Sequence, residues 1–219
     1  MNNVQILMMN KITESKGHGY LYNGHSVVDA DFAPTDWRVP TKSDYDILVS
    51  YLGGLSVAGG KIKETGTSNW DSPNTGATNS SGFTALPAGL RDGLGRFFYI
   101  NERTNFWSQT PEAGSYLYNY QLDYNSAAIT TPIGHNSDVG YSVRLVYTGA
   151  GSPTTLIDED DNLYDVVQIG TQYWTVQNWK CTKLNDGTAL TKVTSATTWA
   201  NAGAGDLYYC AYNNDESNV

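Results

Sequence analysis

The residues best suited to chemistry in this chain are aromatic and amide side chains set at close spacing. Tyr116, Tyr118, Asn119, Tyr120, Asp123, Tyr124 and Asn125 fall within ten residues, and His135-Asn136 follows. Tyr gives amphipathic contact area at low entropic cost, while Asn and Asp add adaptable hydrogen bonds, a mixture that suits reversible ligand binding. The competing reading is a strand whose alternate tyrosines pack inward, with about half of them in the core. Trp70, Asp71 and Asn74 form a second group of the same chemistry, within a stretch of irregular sequence from 66 to 81.

Groups able to catalyse or to hold a metal are sparse. Only His18, His25 and His135 occur, none at metal-ligand spacing, so no zinc or iron site is expected. No serine sits in a recognisable nucleophile turn beside a His and an Asp. Asp158, Asp160 and Asn162 form a D-x-D-x-N run with oxygens suited to Ca²⁺, but the distal bidentate Glu is missing, which favours a solvated turn. Cys181 and Cys210 are too few for a disulfide scaffold, and two buried thiols are the favoured reading over a pair. No cofactor is expected.

Composition sets the class. The chain has 219 residues with 22 Gly, 16 Tyr and 6 Trp, and only 16% are charged, which argues for a folded, loop-rich protein. A net charge of −9 speaks against a nucleic-acid partner. No apolar run reaches the ~20 residues that span a bilayer, so no membrane insertion is expected. Val4 to Met9 is too short for a signal h-region and Met1-Asn2-Asn3 lacks a basic n-region. The expectation is a chain that is not exported by that route, or a piece of a longer one.

The elements that would carry the loops are short. Phe97 to Ile100, Tyr116 to Tyr118, Tyr141 to Tyr147 and Val166 to Ile169 read as strands. Two helices are expected, Lys42 to Leu52 and a short one around Thr198-Trp199-Ala200 after Ser195. The first is announced by Trp37-Arg38-Val39-Pro40-Thr41, where Pro40 enforces extension before it and Thr41 serves as N-cap with Asp44 in the first turn. Its apolar face is expected at Ile47, Leu48, Tyr51 and Leu52, and Gly53-Gly54 stops it. Long loops at 66–81 and 123–138 separate these elements, and loops of that length tend to carry function. The sum is an α+β protein.

Four blocks occur in a telling order: Asp36 to Thr41, Gly82 to Arg91, Phe106 to Thr110 and Gly140 to Val146. Together they resemble the Fibrobacter succinogenes major paralogous domain, common in surface proteins of Bacteroidetes and their relatives. The resemblance implies a C-type-lectin-like fold, shared by formylglycine-generating enzymes and the variable proteins of diversity-generating retroelements. It departs at Leu145, where the family usually has cysteine. Trp37, Trp107, Trp174 and Trp199, in blocks shared with the family, are expected as core anchors. Arg38 and Arg144 are expected in buried bidentate pairs with carboxylates. The Trp70-Asp71 group lacks the separated Glu-Pro-Asn and Trp-Asn-Asp pieces of calcium-dependent lectins, and the cysteines form no recognisable catalytic pair.

The tail resembles the family's beginning: Val166 to Trp174, Gln177-Asn178-Trp179, Asn185 to Thr188 and Tyr209 to Asp215 look like its opening half, while Gly19 to Asn23 looks like the piece that follows. The implied organisation is an N-terminal segment 1–18, the later part of the domain at 19–148, a linker at 149–160, and the opening part at 161–219. A single circularly permuted domain is the first expectation, because a loop can return the chain antiparallel. The rivals are a homo-oligomer that swaps residues 161–219 and a fragment of a tandem array. The functional expectation is a non-catalytic binding or structural module on a cell surface or virion, meeting a glycan or protein ligand through loops 66–81 and 110–138. A phage head or tail fibre or decoration protein is the alternative. An enzyme of the formylglycine-generating type ranks lower, since shared fold is weak evidence of function.

Overall fold

The computed structural model describes residues 17–114, 116–130 and 134–219. The N-terminal segment 1–16 therefore lies outside the described residues. In chain order the elements begin with β1 (Leu21–Asn23), α1 (Gly24–Val27), β2 (Trp37–Arg38), α2 (Lys42–Tyr51) and α3 (Leu55–Ile62). There follow β3 (Ala88–Arg91), β4 (Phe97–Ile100), β5 (Arg103–Pro111), β6 (Tyr116–Asp123), β7 (Ile129–Thr130), β8 (His135–Asn136), β9 (Gly140–Tyr141) and β10 (Val146–Tyr147). The last part holds β11 (Thr155–Ile157), β12 (Leu163–Ile169), β13 (Gln172–Thr175), β14 (Thr191–Lys192), α4 (Ala196–Ala200) and β15 (Tyr208–Cys210). The class is α+β.

Two sheets result. The larger has ten strands on the path β14-β15-β1-β9-β3-β5-β6-β7, with β4 beside β3 and β8 beside β6. The smaller runs β11-β12-β13-β10-β2. Residues after 160 are built into both: β15 pairs with β1 antiparallel, and β13 pairs with β10 through Val146 and Trp174. Trp107, Trp174, Trp199 and, at its edge, Trp37 are buried, the core positions expected of them. The connector 149–160 is less loose than expected, since β11 pairs with β12 and Asp158 is buried.

Helix α2 starts as the sequence dictates. The Thr41 side chain accepts from the Asp44 N–H, and the Asp44 carboxylate accepts from the Thr41 N–H, a reciprocal capping box. Arg38 joins it through Nη1 and Nη2 to both Asp44 oxygens, at 2.5 and 2.9 Å, the expected bidentate pair with a carboxylate, but partly exposed on the arginine side where a buried pair was expected. Burial opposes the charge on Asp44, but Arg38 and the Thr41 donors outweigh it and hold the carboxyl below its usual range. The buried face of α2 is Tyr45, Leu48, Val49 and Leu52; Ile47 and Tyr51 are 47% and 65% exposed, correcting half of the expected stripe. The helix presents an i, i+3, i+4, i+7 face one step removed from the one read from sequence.

Four α-helices are found among the described residues, not two. Helix α1 is a single capped turn, too short to leave a period in the sequence. Helix α3 is disguised by Gly59-Gly60, which reads as a breaker. These glycines are there for contact: a Cβ on Gly59 would lie 2.6 Å from the Ala128 carbonyl oxygen, and one on Gly60 2.2 Å from that of Gly76. The long loops rest directly on this helix, and Gly60 N–H donates to Ala127 O at 2.8 Å.

The stretch Tyr141 to Tyr147 is not one strand. Its first residues pair in the large sheet and its last in the small one, with Arg144 at the crossover. Arg144 is wholly buried without a carboxylate, contrary to expectation. Its guanidinium donates to Asn178 Oδ1 at 2.7 Å, to the carbonyls of Phe83 and Thr175 at 2.8 Å each, to Thr84 O at 3.0 Å and to Val176 O. Five acceptors, four of them backbone, draw donors from all three guanidinium nitrogens without a second buried ion. The expected outcome for Arg144→Met in urea unfolding is a loss of about 3–5 kcal/mol, because five buried acceptors lose their donor. Arg38→Met, at a partly exposed pair, should cost about 1 kcal/mol.

Candidate functional site

The two long loops are tied together from beneath. Lys63, one residue past α3, is fully buried. Its ammonium donates to Ser126 O at 2.9 Å, Asp123 O at 3.0 Å and Thr75 O at 3.1 Å, and sits 5.2 Å from the Trp70 ring centroid. Three carbonyls and an aromatic face surround it much as oxygen ligands surround a bound cation. Thr75 N–H also donates to Tyr124 O at 2.7 Å, so loop 66–81 and the 123–128 segment are joined through their backbones.

Two further backbone bonds add the turn between β4 and β5. Asp71 N–H donates to Asn101 O and Tyr124 N–H to Glu102 O, both at 2.8 Å. Arg103 Nε donates to Asp123 Oδ1 at 2.7 Å while its guanidinium lies 4.3 Å from the Tyr99 ring centroid. The result is one surface in which Asp71, Asn125, Asn101 and Glu102 are exposed and Asp123 and Tyr124 half-buried.

The residues singled out from sequence divide into three sets. Asp71, Asp123, Tyr124 and Asn125 belong to this surface. Tyr116, Tyr118, His135 and Asn136 lie at the other end of β6, about 23 Å away at ~3.3 Å per strand residue. There Tyr116 is 47% exposed and pairs across from Asn136, and His135 Nδ1 contacts the Tyr141 hydroxyl. Burial lowers the His135 pKa, with a partial offset from Glu112.

Trp70, Asn74, Asn119 and Tyr120 form the third set, and the core claims them. Trp70 is 1% exposed and donates Nε1–H to Ala85 O. Asn74 spends its amide on the Glu64 and Gly66 carbonyls, holding the loop's own backbone. Asn119 accepts from Asn105 Nδ2 on the inner face. Tyr120 stacks on Tyr45 with centroids 4.1 Å apart and donates to Lys42 O at 3.1 Å. These four shape the loops and cannot touch a ligand on the outer surface.

The Asp158 run is also structural. Asp158 accepts from the Asp160 and Asn162 N–H groups and from the Tyr164 hydroxyl, while Asp160 accepts from Thr182 and pairs with Lys183. Among the described residues no cluster of His, Cys, Asp and Glu is arranged to hold a metal ion. Cys181 and Cys210 are free and buried. Phe98 and Tyr99 were read from sequence only as strand, yet both are exposed beside this surface. The signal for them was the aromatic doublet running into Ile100-Asn101, a turn residue at a strand end.

A family model, that of the Fibrobacter succinogenes major domain, matches residues 1–147. The chain belongs to this family. The matched span contains Lys63, Arg144 and every residue of the loop surface, and ends with β10. Residues 148–219 lie beyond the match, yet supply β12 and β13 to the small sheet and β14 and β15 to the large one. No curated protein and no solved structure matches the chain.

Burial lowers the Lys63 pKa from 10.5 to about 8, with Asp123 offsetting part of the shift. The neutral amine has two N–H donors for three carbonyls, so the brace weakens as pH rises through this value. A Trp70 near-ultraviolet signal is expected to titrate near pH 8 in the native protein and to be flat in Lys63→Met. The folded protein releases this proton near 8 and the unfolded chain only near 10.5. Over that interval the unfolded state binds more protons, and global stability from this group rises with pH.

Proposed function

We propose that this family member is a non-catalytic binding module of a cell surface or virion, and that its ligand, a glycan or a protein, meets the surface built from loop 66–76, the β4–β5 turn and residues 123–127. The observation that carries the reading is the shared brace: the two long loops close over one buried lysine, and they present Asp71 and Asn125 on the surface they share with Asn101 and Glu102 of the β4–β5 turn, to which they are bonded through backbone. A surface fixed in this way meets its ligand without first losing loop entropy, which favours affinity.

The cysteines support a non-catalytic role. Burial, with Asp158 nearby, pushes the Cys181 thiol up to about 12. Burial pushes Cys210 up to about 11 against the counter-effect of Arg91. Nucleophilic or oxidase chemistry needs thiolate, and both sites oppose it. A C-type-lectin-like architecture in permuted order is part of the same reading. Its support is the pairing of β10, the end of the family match, with β13, from the tail that resembles the family's opening.

The test is an array of cell-surface glycans and envelope proteins probed with the native chain and with Asp71→Ala/Asn125→Ala. The expected outcome is at least a tenfold loss of binding in the double variant with unchanged thermal unfolding. Tyr116→Ala, at the far end of β6, should bind as the native protein does. Equal binding by the double variant would remove this surface from the account.

A further inference from the structure

We infer that Phe98 and Tyr99 form a platform for a neutral sugar chain, on the edge of the loop surface described above; the inference rests on that reading and names its ligand class. Consecutive residues of a strand point to opposite faces. Here they do not: the two ring centroids are 5.8 Å apart with planes tilted by 39°. The cause is the backbone of Tyr99, whose φ of +67° lies in the left-handed region. A bulky aromatic residue in that region is strained.

The core gains little from this strain. Phe97 faces inward and packs on Tyr212 with centroids 5.4 Å apart, whereas Phe98 and Tyr99 remain 37% and 42% exposed. The same backbone turns the chain into the β4–β5 connection, where Glu102 N–H donates to Tyr99 O at 3.1 Å, and it leaves two rings together in solvent, open to what meets them from outside.

Charge decides the ligand class. The Arg96 guanidinium lies 5.4 Å from the Phe98 centroid and that of Arg103 4.3 Å from Tyr99, contacts that favour the observed ring positions. Each guanidinium is already paired, Arg96 with Asp92 through Nε and Nη2 at 2.8 and 2.6 Å, and Arg103 with Asp123 at 2.7 Å. Among the described residues no unpaired cation is found at the platform for a sulfate, phosphate or uronate, and the chain's net charge of −9 disfavours a polyanion. What remains is two adjacent exposed aromatic rings beside the exposed amide and carboxylates of Asn101, Glu102 and Asp71. A pyranose ring has the complementary chemistry, C–H groups on one face and hydroxyls around its edge.

The experiment is affinity electrophoresis through gels containing soluble neutral polysaccharides (β-glucan, xylan, galactomannan, mannan, starch), with polygalacturonate and dextran sulfate as acidic arms. The native chain should be retarded by at least one neutral polymer, with little dependence on salt. Phe98→Ala and Tyr99→Gly should each weaken that retardation at least tenfold. Tyr99→Gly should melt no lower than the native protein, since glycine accepts the left-handed backbone and the lost ring was exposed. No retardation by any neutral polymer, retardation only by the acidic ones, or variants retarded like the native chain would each overturn the platform. If these variants keep a binding that Asp71→Ala/Asn125→Ala loses, the platform fails and the loop surface stands. If the native chain binds nothing on either the array or the gels, both fail.

Discussion

Arg144 is the constraint on which the rest of the structure depends. A guanidinium this deep must find an acceptor for each donor, and a partner that does so without a second buried charge is the backbone. Its five acceptors come from Phe83-Thr84 and from the stretch Thr175 to Asn178, two regions about ninety residues apart in sequence. Satisfying one side chain therefore fixes the start of the β3 block, the crossover between the sheets, and the tail, all at once. The family block Gly140 to Val146 is where the chain changes sheets, and the arginine makes that change specific.

Lys63 plays the corresponding part for the loops. Arg144 joins distant backbone segments in the core, and Lys63 joins the two loops under the surface, each by donating to several backbone carbonyls. The lysine differs in one respect: burial brings its proton within reach of mildly alkaline pH. Gly59 and Gly60 make the arrangement sterically possible, because side chains there would strike the loop backbones. The exposed residues of the surface thus depend on buried ones that never meet a ligand.

Much of the scaffold was legible in the sequence, because its signals are local. Pro40, Thr41 and Asp44 specify the start of α2 among themselves, and Arg38 adds its partner from six residues away. The burial of Trp37 and Trp107 followed from the family pattern, which covers both. Helix α3 was hidden, since Gly59-Gly60 serves a close approach by loops about 16 and 69 residues downstream, which no local rule detects. Arg144 was read as buried, but its acceptors are carbonyls, and carbonyls leave no mark in sequence. In the candidate site, Asp71 and Asn125 could be picked by residue type, while Trp70 and Asn74 carry the same chemistry and are spent inside. Strand alternation in β6 foretold that some of its tyrosines would be core, and Tyr120 is.

The central claim is that residues 161–219 close the domain within their own chain. Light scattering coupled to size exclusion, followed by denaturant unfolding monitored through the buried tryptophans, tests it most directly. The expected result is a monomer of 23.9 kDa at every loading concentration, unfolding in one transition. A dimer or larger species that grows with concentration, or separate transitions for the tail and the family-matched span, would contradict it.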